Sequence, residues 1–357
     1  MSDTLRRLRA LGQSVWLDSI RRSALGPQGS ISRLVAAGDI DGLTSNPTIF
    51  EQAIASDDAY AAQLRELSGS DPHEALWALI KADVVAACDL FLPRYRESDG
   101  GHGFVSIEVD PSKAFDTEET VSEALVLFRE LDRPNLMVKV PGTEPALPAI
   151  TRLIAEGVNV NVTLLFDVTR YEAVAEAYLA GLRARAEAGA PPDVASVASF
   201  FVSRVDTKVD ERLGGTHAVL ATAGIANARV AYESFQRIFG GADFADLAEA
   251  GARVQRPLWA STSTKNPDLP DTLYVDELAG PDTVNTMPES TLDAFRDHGT
   301  VEDRLSGAGG EARHQLHRLA DQGVDLEQIT KELEAEGVEK FVASFESAVA
   351  TVARHVA

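Results

Sequence analysis

The sequence predicts an α/β fold, a (β/α)8 TIM barrel, and three observations carry that expectation. Short β-branched or apolar runs alternate with longer stretches of helical periodicity, the pattern of βα units around a parallel sheet. Eight such runs can be counted, the strand number of a closed barrel. A chain of 357 residues is long for one small core but ordinary for a barrel with added helices. A Rossmann-type sheet is the alternative that the same alternation allows.

In chain order the runs are 14–18 (SVWLD), 42–45 (GLTS), 104–109 (FVSIEV), 136–140 (LMVKV), 159–166 (NVNVTLLF), 194–202 (VASVASFFV), 257–261 (PLWAS) and 283–287 (TVNTM). Between the third and fourth, Val121, Leu125, Phe128 and Leu131 recur at helical spacing behind Asp116 and Thr117, which suit the capping of a helix start. Residues 144–156 read as a helix stopped by Gly157. Residues 171–188 are rich in Ala, Leu, Glu and Arg, all strong helix formers. Residues 4–11 and 340–355 read as extra helices packed on the outside of the barrel. With no repeat, low-complexity tract or long linker, residues 1–357 are expected to form one domain, with additional helices at about 1–12 and 289–357.

Composition narrows the function. The formal net charge is −22, from 33 basic and 55 acidic residues. Such a surface repels nucleic acid and anionic lipid. It also repels phosphorylated metabolites unless a few basic groups are focused inside a cleft. No stretch approaches the roughly 20 apolar residues of a membrane helix, and MSDTLRRLRALGQ lacks the apolar core and cleavage site of a signal peptide. The single cysteine, Cys88, excludes an intramolecular disulfide, so a cytoplasmic location is expected.

A barrel strand is buried on both faces and should be almost wholly apolar. Here Asp18, Glu108, Lys139 and Thr163 stand near the C-terminal ends of the first, third, fourth and fifth runs. Asn46 follows the second, and Ser199 and Arg204 accompany the sixth. Barrel active sites are built at that end, so these residues should converge. Lys139 is flanked by Met137, Val138, Val140 and Pro141. Burial disfavours an ammonium and leaves a free amine able to attack a carbonyl; the other reading is a structural ion pair with Glu108 or Asp18. The two carboxylates suit proton transfer beside such a lysine, although each alone could be a cap or a salt bridge. Thr163 could hold a water between them, or simply be a good strand former. Arg204 lies where a phosphate could be gripped, a surface ion pair being the ordinary alternative. The stretch from Ser261 to Asn266 offers hydroxyls and Lys265, either as a second phosphate contact or as a polar turn.

The motifs VWLDS around Asp18, LTSNP at 43–47, SIEVD at 106–110, MVKVPGT at 137–143, NVNVTLLF at 159–166 and SFFVSR at 199–204 resemble those of transaldolase, in one consistent order. ASTSTKNP and DTVNTMP at 282–288 look most like the larger, actinobacterial-type transaldolases. The resemblance implies a class I aldolase barrel with its Schiff-base lysine on the fourth strand, where Lys139 falls. It implies transfer of a dihydroxyacetone unit from sedoheptulose 7-phosphate to glyceraldehyde 3-phosphate, giving erythrose 4-phosphate and fructose 6-phosphate. By the same resemblance, Asp18 is the acid/base for the substrate hydroxyl and Glu108 acts through a water positioned by Thr163. Asn46, Asn161 and Ser199 hold the hydroxyls of the dihydroxyacetone unit, and Arg204 binds phosphate. Smaller members carry Ala-Ser-Phe-Arg after the seventh strand. This chain has Ala260-Ser261-Thr262-Ser263-Thr264-Lys265, so Ser263 or Lys265 is expected to replace the second phosphate arginine.

Other signals lead elsewhere. His314 and His317 sit three apart without further ligands, and no zinc cluster of a class II aldolase is in view. Residues 306–310 (SGAGG) follow no strand and lack a Walker lysine. Cys88 reads as a small core residue within a helix-like stretch. No cofactor is implied, the partners are sugar phosphates, and a monomer or homodimer is expected. The rivals are an aldolase releasing free dihydroxyacetone on the same barrel and a binding protein that has lost catalysis.

Overall fold

The computed structural model describes residues 2–214 and 221–357. The strands β1 (Gln13–Asp18), β2 (Gly42–Thr44), β3 (Phe104–Glu108), β4 (Leu136–Pro141), β5 (Val160–Leu165), β6 (Ser196–Phe201), β7 (Arg256–Ala260) and β8 (Thr283–Met287) close a barrel in sequence order. Every neighbouring pair is parallel, including β1 with β8. All eight expected runs are strands, within two residues at each end.

Strand alternation explains what fills the barrel. Trp16 and Asp18 are two apart on β1 and share its inner face. The Trp16 ring occupies the space beside Gly42, where a Cβ would lie 2.6 Å from the indole. Trp16, Phe104, Met137, Val197, Leu258 and Val284 belong to one buried cluster. One step further along the strands the inward residues become polar, because there the barrel opens.

The helix Thr117–Leu131 is capped by Asp116, whose carboxylate accepts from the Glu119 N–H at 2.9 Å. Residues 144–156 begin as a 3-10 turn, Glu144–Ala146, before the α-helix Leu147–Ala155, and Gly157 takes a φ of 86° just beyond it. Tyr171 and its successors lie in Val168–Glu187. Cys88 is buried in the long helix Pro72–Glu97.

The chain end differs from expectation. Helices Glu289–His298, Gly309–Asp321 and Leu326–Val356 follow β8. The last is much longer than 340–355 and does not merely pack outside. It runs past the barrel mouth, burying Leu333, Val338 and Phe341 against Leu164, Phe166 and Phe201. An amphipathic pattern shows that a helix buries a face, not which surface receives it. Among the described residues, no helix is long and apolar enough to cross a membrane.

Candidate active site

The C-terminal ends of the strands open into a cavity of about 580 Å³. Its wall includes Asp18, Asn46, Lys139, Thr163, Ser199, Arg204, Ser263 and Lys265. Thus eight of the ten residues singled out from sequence meet at one surface, as the barrel rule requires.

Lys139 lies at the bottom, 5% exposed. β3 and β4 are in register there, Glu108 opposite Lys139, so the two inward side chains meet. Lys139 Nζ is 3.5 Å from Glu108 Oε2 and donates to the Ser45 carbonyl at 3.1 Å. The Phe341 ring from the C-terminal helix covers the amine, its centroid 5.9 Å from Nζ. Glu108 does not reach the cavity wall and is held behind the lysine. Burial pushes its carboxyl up to about 7, against the opposing pull of the Lys139 ammonium, with Asp18 adding to the rise. Neither Glu108 oxygen nor Thr163 Oγ1 has a hydrogen-bond partner within the protein.

Asp18 ends β1 and accepts from Thr44 Oγ1 at 2.6 Å. Thr44 Oγ1 in turn lies 2.7 Å from Thr286 Oγ1, a threonine pair that fixes the carboxylate at the rim. Neither threonine drew attention in the sequence, since threonine is common in strands. Asn46 caps the helix Pro47–Ser56, its Oδ1 accepting from the Ile49 N–H at 3.0 Å, which leaves its amide group to the cavity.

Thr163 is followed by Leu164 at a φ of 63°, where the β5–β6 register shifts. Such an irregularity redirects side chains beside active sites. Asn161 lies deeper than these residues. It is wholly buried and does not line the cavity. Its amide donates to Ser106 Oγ at 3.0 Å and its oxygen accepts from Ser199 Oγ at 2.7 Å. It lies two residues before Thr163 on the same strand face, one layer deeper in the barrel, where it holds Ser199.

Arg204 opens the helix Ser203–Arg212 and stacks over Phe201, 5.0 Å from guanidinium carbon to ring centroid. Burial lowers its pKa from the usual arginine value, and Asp18 opposes that shift. Ser261, at a φ of 56°, turns the chain after β7 and its hydroxyl lies 2.8 Å from Ser203 Oγ. This turn carries Ser263 and the exposed Lys265 onto the wall. Sequence reading missed Lys208, Glu211, Glu336 and Lys340, which also line the cavity. On exposed helices, charge alone does not separate a cavity wall from a solvated face. Among the described residues, no group of three or more His, Cys, Asp or Glu could hold a metal ion.

The chain has close relatives of known family. Residues 15–352 match the family described as transaldolase/fructose-6-phosphate aldolase. A transaldolase of Thermobifida fusca is 49% identical over 366 aligned residues, covering 100% of this chain and 99% of that one. A transaldolase of a Parafrankia species is 50% identical, with 99% and 98% covered. One of Frankia alni is 49% identical, with 100% and 98% covered. Similarity of this depth, running from end to end of both chains, leaves no segment outside the likeness, and the chain belongs to the transaldolase/fructose-6-phosphate aldolase family.

Proposed function

We propose that this chain transfers a dihydroxyacetone unit from sedoheptulose 7-phosphate to glyceraldehyde 3-phosphate, giving erythrose 4-phosphate and fructose 6-phosphate, through a Schiff base on Lys139. The observation that carries the reading is the buried amine of Lys139, open to the cavity, with the Glu108 carboxylate 3.5 Å behind it.

The roles follow from position. Lys139 attacks the ketone carbon, and Glu108 moves the protons that turn the carbinolamine into an imine with loss of water. A water held by Thr163 would relay them, which suits Thr163 Oγ1 and Glu108 oxygens that lack hydrogen-bond partners in the protein. Asp18 at the rim takes the proton of the substrate hydroxyl as the carbon–carbon bond breaks. The electron pair passes into the protonated imine, leaving an enamine, so the step calls on no cofactor. The acceptor aldehyde then takes up the enamine carbon, and Asp18 returns the proton. Asn46 and Ser199 bind hydroxyls of the three-carbon unit, with Asn161 holding Ser199. Arg204 binds phosphate, helped by Ser263 and Lys265.

The enzyme works as one domain spanning 1–357, as a monomer or homodimer, in the cytoplasm. The test is borohydride reduction in the presence of fructose 6-phosphate, followed by peptide mass mapping. A stable adduct is expected on Lys139 and absent from Lys139→Ala; an adduct on another lysine, or none, would sink the mechanism.

A further inference from the structure

We infer that Lys340, on the C-terminal helix Leu326–Val356, supplies a further cation, beyond Lys265, that holds the substrate's phosphate beside Arg204. The inference rests on the reading of the substrate as a sugar phosphate.

The charges on the cavity wall are unlike those of the whole chain. Five cations line it (Lys139, Arg204, Lys208, Lys265 and Lys340) against three acids (Asp18, Glu211 and Glu336), in a chain of net charge −22. Such local focusing is what an acidic protein needs to receive an anion. The five are not equivalent. Lys139 faces Glu108. Lys208 is neutralised by Glu332 at 3.1 Å and by Glu336. Among the described residues, the salt bridges leave Arg204, Lys265 and Lys340 without a carboxylate partner within 4.0 Å.

The helix places Lys340 on the phosphate side. One turn earlier, Gly337 faces the arginine, since a Cβ there would stand 3.9 Å from Arg204 Nη1 and 3.0 Å from Leu164 Cδ2. Lys340 is three residues on and therefore shares that face. Helical side chains lean toward the N-terminus of their helix, so the Lys340 stem points back over Gly337 toward the guanidinium. Its neighbour Phe341 sits above Lys139. Lys340 itself is exposed and lines the cavity that Lys139 and Arg204 share. Lys265 rides on the loop after β7. Lys340, by contrast, is fixed by a helix whose Leu333, Val338 and Phe341 are buried, and an anchored cation loses less freedom on binding.

The test measures binding of inorganic phosphate to the full chain by calorimetry, alongside steady-state kinetics, for wild type, Lys340→Met and Lys340→Arg. Losing one charge-assisted contact predicts phosphate affinity about tenfold weaker in Lys340→Met and largely restored in Lys340→Arg. KM for fructose 6-phosphate should rise by a similar factor with kcat little changed, while KM for unphosphorylated fructose stays near wild type. Unaltered phosphate affinity in Lys340→Met would overturn the assignment, as would equal KM increases for both ketoses. Borohydride trapping separates this from the Schiff-base reading. A missing adduct in wild type sinks that mechanism, whereas weakened phosphate binding in Lys340→Met still upholds the anion site.

Discussion

Lys139 Nζ stands 3.5 Å from Glu108 Oε2, and neither side chain is more than 7% exposed. The contact pairs the buried amine with a buried carboxylate, and the pull between them opposes the effect of burial on Glu108. The parallel register of β3 and β4 sets the pairing, so it depends on the strands rather than on mobile loops.

A pH dependence follows from the Glu108 carboxyl, which burial pushes up from 4.5 to about 7. Between those values the folded state keeps a proton that the unfolded chain releases. The contribution to stability is therefore whole below the unfolded value and is lost as pH rises through the folded one. In Glu108→Gln, which cannot titrate, thermal stability should vary less between pH 4.5 and 7 than in wild type. For catalysis, kcat/KM should rise through a midpoint near 7 as the Glu108 carboxyl gives up its proton. Glu108→Gln should lose that limb and run about 100-fold slower or worse. An unchanged pH profile in the variant would remove Glu108 from proton transfer.

Asp18→Asn separates bond cleavage from imine formation. The carboxamide oxygen can still accept from Thr44 Oγ1, so the rim should keep its shape. Only proton transfer is lost, and turnover should fall by roughly 10²–10⁴-fold. Borohydride should still trap the substrate on Lys139. If trapping disappeared together with turnover, Asp18 would be serving to build the site.

The barrel was legible because its strands are short apolar runs at regular intervals, and the lining because Asp18, Lys139 and Thr163 break that rule at strand ends. What escaped notice depends on long-range packing. Residues 340–355 read as an outer helix, but nothing nearby in sequence said that it would begin at Leu326 and cross the barrel mouth. The hydrogen bonds of Asn161 to Ser106 and Ser199 were not legible either, because its motif names a strand face and not a depth along the barrel.

Arg204 sits on a short helix with an aromatic platform and no carboxylate competitor within salt-bridge reach among the described residues. Removing its fork should weaken phosphorylated substrates by about tenfold or more in KM. Lysine should recover only part of that, being a point charge. Dihydroxyacetone, which carries no phosphate, should bind Arg204→Ala much as it binds wild type. Equal losses on both substrates would place Arg204 outside the phosphate site.

Phe341 bears on whether the three-carbon intermediate is handed to an aldehyde or released. Its ring, 3% exposed, lies 5.9 Å from Lys139 Nζ and closes the cavity above the imine. An enamine that meets water and a proton source hydrolyses to free dihydroxyacetone; one kept dry waits for an acceptor. Trimming the ring should therefore move the enzyme from transfer toward aldolase behaviour. Phe341→Ala would expose the amine most, at a cost of about 3–5 kcal/mol in stability. Phe341→Leu keeps most of the packing and is the cleaner probe. With fructose 6-phosphate and no acceptor, dihydroxyacetone release should increase severalfold relative to transfer in both variants, and more in the alanine one. A fall in both rates with their ratio unchanged would mean that the ring only anchors the helix, and that dryness at Lys139 comes from the strand residues beneath it.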